Sequence, residues 1–180
     1  MRQTLLLATT VLALSLPIGF AAAENAAQPV ATATMQVTDA TQFMLMAAMS
    51  DKFEIESSEI ALQKGQSDAV KQFAQQMITD HTANTEKLIQ TVEAGGGNLE
   101  KPAQLDEKHQ TMIDKLSATS GDFDAAYIDA QVQAHQEAVA LMTSYSQNGD
   151  NNPLKQFAAQ ALPTIQMHFE MVQKLDHASM

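Results

Sequence analysis

The sequence predicts an all-α protein: a ferritin-like four-helix bundle of two antiparallel hairpins joined by a long crossover that carries a short extra helix. Three observations predict it. From Asp39 onward the apolar residues recur at steps of three and four, and no stretch alternates like a strand for more than four residues. Within each of two pairs of long helical stretches the connection is only a few residues, which forces each pair into a hairpin. The segment from Gly95 to Gly121 is long enough to run the length of a bundle, as a ferritin-like arrangement requires.

The elements follow in order. The first helix is expected from Asp39 to Lys64, opened by the capping-box-like pair Asp39 and Gln42 and stopped by Gly65. The second starts near Ser67, with Asp68 favourably placed in its first turn, and ends at about Ala94 before Gly95-Gly96-Gly97. Pro102 opens a shorter helix that ends near Ala118. Another long helix follows Gly121 and ends around Asn148-Gly149. The last takes Asn152 as cap and Pro153 in its first turn, where a missing N–H costs nothing, and reaches His177. Pro163 inside it should free a carbonyl and bend the axis. A weak internal repeat supports two hairpins: Lys71-Gln72-Phe73-Ala74-Gln75-Gln76 recurs as Lys155-Gln156-Phe157-Ala158-Ala159-Gln160, each preceded by a turn glycine, Gly65 or Gly149.

The segment before the bundle is an address. Arg2 gives a short positive start, Leu5 to Phe20 is almost continuously apolar, and Ala21-Ala22-Ala23 offers a cleavage site. Residues 1–23 therefore read as a signal peptide, cleaved near Ala23. The apolar run is shorter than the ~20 residues a bilayer demands. Residues 24–38 lack a period and read as a flexible tether, and residues 39–177 as the bundle. The mature protein is expected in the periplasm or secreted.

Composition narrows the chemistry. The chain has 180 residues, 21 acidic side chains against 10 basic ones, a net charge of −11 and no cysteine. An acidic chain of this kind does not neutralise phosphates, so nucleic acid is not an expected partner. Without cysteine there is no disulfide, thiolate metal site or thiol nucleophile. No glycine-rich run resembles a phosphate loop, and no Ser/His/Asp arrangement is visible.

The interior stripes hold the informative residues. In the first helix the stripe reads Phe43, Ala47, Ser50, Glu54, Ser57, Ala61; in the second Val70, Ala74, Met77, His81, Leu88, Val92, with Asn84 between. The next long helix gives Ile128, Val132, His135, Val139, Met142, and the last Leu154, Ala158, Ala161, Ile165, His168, Val172, Leu175. Each long helix thus carries one ionisable residue near mid-length: Glu54, His81, His135 and His168. At ~1.5 Å per residue, and with the turns at opposite ends of a bundle ~40 Å long, their heights are ~16, ~24, ~19 and ~12 Å. They share a slab without sharing a plane.

Three imidazoles and a carboxylate form a first shell suited to one transition-metal ion: zinc, copper or iron. Other readings stand beside it. Glu54 and His81 can form a buried acid–imidazolium pair, and His81 can be oriented by its neighbour Asp80. The interior histidines can be structural, in a non-catalytic envelope or stress-related interaction protein with a partner in the cell envelope. Met167, His168 and Met171 offer a thioether–imidazole set for Cu(I), and Met44, Met46 and Met49 cluster in the first helix, though methionine is also common core filler. A di-iron enzyme is disfavoured, because Ile78, Val132 and Ile165 stand where Glu-x-x-His motifs need carboxylates. Only His109 has an acid at that spacing, Asp106, on the short helix. No catalytic residue is identified.

Phe53-Glu54-Ile55-Glu56-Ser57-Ser58 with Ala61-Leu62, then Val70-Lys71-Gln72-Phe73-Ala74 and Met77-Ile78 with Asp80-His81, resemble the signature of the domain-of-unknown-function 4142 family. Phe123-Asp124 with Tyr127, Ala134-His135 with Val139, and Leu154-Lys155 through Phe157-Ala158 to Leu162-Pro163 and His168 continue it. The similarity runs from Asp39 to Leu175. The resemblance implies an exported bacterial protein with a ferritin-like bundle and carries no activity with it. Its motif positions include Glu54, His81, His135 and His168.

Overall fold

In the computed structural model the described residues are 36–102 and 104–179. The expected signal peptide and most of the expected tether lie outside them. Five helices are present and, among the described residues, no strand: α1 (Ala40–Lys64), α2 (Asp68–Ala94), α3 (Glu107–Ala118), α4 (Phe123–Asn148) and α5 (Asn152–Ser179). No helix is long and apolar enough to cross a membrane, among the described residues.

The helix ends follow local chemistry. Asp39 accepts a hydrogen bond from the Gln42 N–H at 2.8 Å, and Ser67 accepts one from Val70 at 3.2 Å. Two ends differ from expectation. Helix α3 starts at Glu107 rather than at Pro102, because Asp106 caps it, accepting the His109 N–H at 2.9 Å. Lys101, the residue before Pro102, has no oxygen in its side chain to do that work. The last helix is capped by Asn151, whose Oδ1 accepts from the Leu154 N–H at 3.1 Å, so Asn152 is already helical. Helix α5 continues through Pro163, which is solvent-exposed, as is Ala159 one turn back, where water can take the freed carbonyl.

Four long helices pack in a cycle in which α1 lies against α2 and α4, and α5 against α2 and α4. The short α3 leans on α1 and α4. Two contacts fix the ends. Asp124, at the start of α4, accepts hydrogen bonds from the backbone N–H groups of Gln66 and Ser67 in the α1–α2 turn, at 2.8 and 2.7 Å. At the other end the Asp150 N–H donates to the Thr38 carbonyl at 3.0 Å. The α1–α2 and α4–α5 turns therefore lie at opposite ends, and the segment through α3 travels from one end to the other. Lys64 anchors its far side by donating to the carbonyls of Ser117 and Thr119 at 2.6 and 2.9 Å. Glycine is required at both hairpin turns. A Cβ on Gly65 would sit 2.5 Å from the Ala61 carbonyl oxygen, and one on Gly149 2.6 Å from the Tyr145 ring.

The end of the expected tether is docked. Val37 is buried in the apolar cluster at the α4–α5 end, with Phe43, Leu141, Tyr145, Leu154 and Phe157. Its apolar side chain and the Thr38–Asp150 bond outweigh the loss of chain freedom there. A second apolar cluster fills the opposite end, around Phe73, Met77, Phe123, Tyr127 and Val172. Between the two clusters every long helix presents polar side chains inward: Asp51, Glu54 and Ser57 from α1, His81 and Thr85 from α2, Gln131 and His135 from α4, and His168 from α5. The core is a polar slab between two apolar plugs.

The Asp124 clasp supports a first prediction. Burial alone would raise the pKa of Asp124, but the two N–H bonds hold it below the usual carboxylate range. A depressed carboxylate contributes stability that is present above its ordinary pKa and is lost as pH falls through the folded value. Asp124→Ala should cost about 1 kcal/mol at pH 7. In urea titrations that deficit should shrink as the pH is taken below about 4. A deficit unchanged with pH would mean that the clasp does not depend on charge.

Candidate metal centre

All four residues that the sequence singles out are fully or almost fully buried in the polar slab. The structure brings three of them into one cluster. The rings of His81 and His135 lie 5.7 Å apart, those of His81 and His168 5.4 Å, and those of His135 and His168 5.6 Å. One ring nitrogen from each lies within 4.8 Å of the other two. The axial spread estimated from rise per residue closes for a geometric reason. Side chains lean toward the N-terminus of their own helix. Helices α2 and α5 run in opposite directions, so His81 and His168 lean toward one another.

Each imidazole spends one nitrogen on an oxygen. His81 Nδ1 bonds Asp51 Oδ1 at 2.8 Å, His135 Nδ1 bonds the Gln131 carbonyl at 3.0 Å, and His168 Nε2 bonds Asp80 Oδ2 at 2.8 Å. The opposite nitrogens, His81 Nε2, His135 Nε2 and His168 Nδ1, are buried without a hydrogen-bond partner. Glu54 stands beside the cluster, its Oε1 3.5 Å from His135 Nδ1, and neither of its oxygens accepts a well-formed hydrogen bond. Seven buried side-chain polar atoms are orphaned among the described residues, and five of them belong to these four residues. Native interiors rarely leave such atoms unpaired, and a bound cation is one way to satisfy bare nitrogens on three rings so close together.

Two pairings that the sequence offers as alternatives are not the ones formed. The acid that partners His81 is Asp51, not Glu54, and Asp80 orients His168 rather than its neighbour His81. Adjacent residues on a helix point about 100° apart, so Asp80 faces α5 while His81 faces α1. The inward position on α1 is taken by Asp51, whereas Ser50 is half-buried. Val132 and Val139 are likewise half-buried rather than interior. Asp51 also receives the Asn84 amide at 3.0 and 3.1 Å and the Thr85 hydroxyl at 3.0 Å. Its one visible signal was its place one turn before Glu54 on the same face. Gln131 was missed as well; its amide donates to Ser57 at 3.0 Å. The set Met167, His168, Met171 does not converge: Met167 is 44% exposed while His168 is fully buried, and Met171 packs with the apolar cluster around Val172.

The electrostatics follow from burial and partners. Burial pushes Glu54 up to about 7, against the opposing pull of His81 and the Gln131 amide. Burial and the neighbouring His81 push His135 down to about 3, so it is neutral. His168 is lowered, chiefly by burial. For His81 burial acts downward, but the bond and charge of Asp51 outweigh it and the pKa is raised. A cavity of about 220 Å³ between α2 and α5, bordered by Asp80, Asn84, Thr164, His81 and His168, reaches the cluster from the surface.

The family described as "Domain of unknown function (DUF4142)" matches residues 24–175. No curated protein matches the chain significantly. Among solved structures, CopM in the Cu(II)-bound form is similar with a TM-score of 0.68 at 17% identity, covering 81% of this chain and 100% of its own. CopM in the Cu(I)-bound form has a TM-score of 0.64 at 17% identity, covering 79% and 98%. A DUF305 fragment from Deinococcus radiodurans has a TM-score of 0.65 at 12% identity, covering 76% and 94%. At these identities the likeness is one of fold.

Proposed function

The chain belongs to the domain-of-unknown-function 4142 family, and we propose that it is an exported member that holds one transition-metal ion in the middle of its bundle. The ligands are His81, His135 and His168, with Glu54 as the adjoining carboxylate. The observation that carries this reading is the pairing of every imidazole. One nitrogen is fixed by an oxygen acceptor, and the other is left bare inside the core. That arrangement fixes tautomer and ring orientation, as partners of metal-ligating histidines do. Three neutral imidazoles and one carboxylate suit zinc, copper or iron. Copper is the first candidate, since CopM, similar in fold, is described in two copper-bound forms.

Within the proposal each residue has a task. Asp51, the Gln131 carbonyl and Asp80 hold the rings, and Glu54 supplies negative charge to an otherwise neutral donor set. The apolar plugs close both ends of the slab, and the cavity between α2 and α5 is the way in for an ion. The net charge of −11 draws cations toward the protein. Arg2, the apolar run Leu5–Phe20 and Ala21–Ala23 support export to the periplasm or beyond. The same proposal takes the bundle as ferritin-like, on its two hairpins and full-length crossover.

Elemental analysis of the mature protein, purified from the periplasm without chelator or affinity-tag metal, tests the reading. About one equivalent of a single metal is expected. Its removal should lower Tm by roughly 5–10 °C, the effect of a ligand held at about a hundred times its Kd on a domain of this size. Metal-free protein whose stability ignores added zinc, copper and iron would overturn it.

A further inference from the structure

A second group of donor atoms lies outside the slab. Met46 and Met49 are three residues apart on α1 and so share one face of it. Asp106, which caps α3, ties His109 to that face. Its backbone N–H donates to Met49 Sδ at 3.3 Å, and its carboxylate takes the Nδ1–H of His109 at 2.8 Å. The His109 ring lies 5.3 Å from that of Phe53, one turn along α1 from Met49. Met46, Met49 and His109 border a cavity of about 180 Å³ between α1, α3 and α4, with Ser50 and Ala138 on its wall.

We propose that Met46, Met49 and His109 form a second, peripheral metal site, for a soft monovalent cation of the Cu(I) class. The donor inventory decides the class. Two carboxylates border the cavity and both are engaged: Asp106 with His109 and the first turn of α3, and Glu137 in an ion pair with Lys108. Hard cations that need several free oxygens find none of those carboxylates available. What remains is the Met46 thioether, the second lone pair of Met49 Sδ beside the one that accepts the Asp106 N–H, and an imidazole whose Nδ1 is fixed by a carboxylate, a soft set suited to Cu(I). His109 thus repeats the device seen at His81 and His168. Methionine as core filler would account for Met46 against the apolar cluster at the α4–α5 end, but not for two thioethers beside a bordered cavity with a carboxylate-held imidazole. Met46 and Met49 are half-buried and His109 is 16% exposed, so the site is open to ions from solution.

The test compares the mature protein with Met46→Leu/Met49→Leu, a volume-conserving change that should leave the fold intact. Both are titrated anaerobically with Cu(I) against a competing chromogenic chelator. Wild type should bind one equivalent more than the variant, and the Met46 and Met49 methyl resonances should shift on addition of Cu(I). The same equivalent should persist when His81 and His135 are both alanine, which separates this site from the slab. Equal Cu(I) uptake by wild type and variant, or unmoved methyl resonances, would overturn the proposal.

Discussion

Alanine at both His81 and His135 will abolish stoichiometric transition-metal binding in the slab. The two rings supply two of the three bare nitrogens, and the remaining pair, His168 and Glu54, is too few for a four-coordinate site. Loss of a single supporting partner costs ~10–100-fold in metal affinity, so loss of two ligands should exceed about 100-fold. Isothermal titration with zinc and Cu(II) reads this directly, and circular dichroism checks that the bundle persists. Unchanged binding would remove His81 and His135 from the site.

The pH dependence of binding has a definite sign. Metal competes with protons for the ring nitrogens. His135, pushed down to about 3, and the lowered His168 are already neutral near pH 7 and offer little competition. His81 is raised despite its burial, through Asp51, and Glu54 is raised to about 7 by burial. Affinity should therefore be full above these raised values and fall as the pH drops through about 7 toward 5. An affinity flat over that range would contradict metal bound through His81 and Glu54.

Asp51→Ala will be the most damaging single substitution among the supporting residues. Asp51 is 2% exposed and receives His81, Asn84 and Thr85, so its removal strands donors in the core of the α1–α2 hairpin. Breaking one side of a buried charge pair costs on the order of 3 kcal/mol or more. Metal affinity should also fall ~10–100-fold, because His81 loses the acceptor that fixes its ring orientation. Asp51→Asn separates the two effects: it retains the volume and part of the hydrogen bonding but not the charge, so affinity should fall further than stability. Urea unfolding of metal-free protein and metal titration report on the two quantities. A fully stable Asp51→Ala protein would show that the α1–α2 polar contacts are dispensable.

Much of this protein is legible without coordinates. Helix period, turn glycines and caps are local properties, so the sequence alone determines four long helices, a short fifth and two hairpins, with errors confined to ends such as Asp106 and Asn151. It also determines that Glu54, His81, His135 and His168 are the ionisable residues on stripes that are otherwise almost wholly apolar or small, because burial on a helix is periodic. Which atoms meet is another matter. Asp51 lies one residue from Ser50, and a rotation of about 100° on a helix decides which of them faces inward. The exchange of partners, Asp51 for His81 and Asp80 for His168, depends on how neighbouring helices are rotated against one another. The convergence of three rings depends on the opposed directions of α2 and α5. The pocket of Met46, Met49 and His109 needs α3 folded back on α1. Spacing along one helix fixes only which face a residue occupies; rotation, direction and docking of the neighbours decide what that face meets.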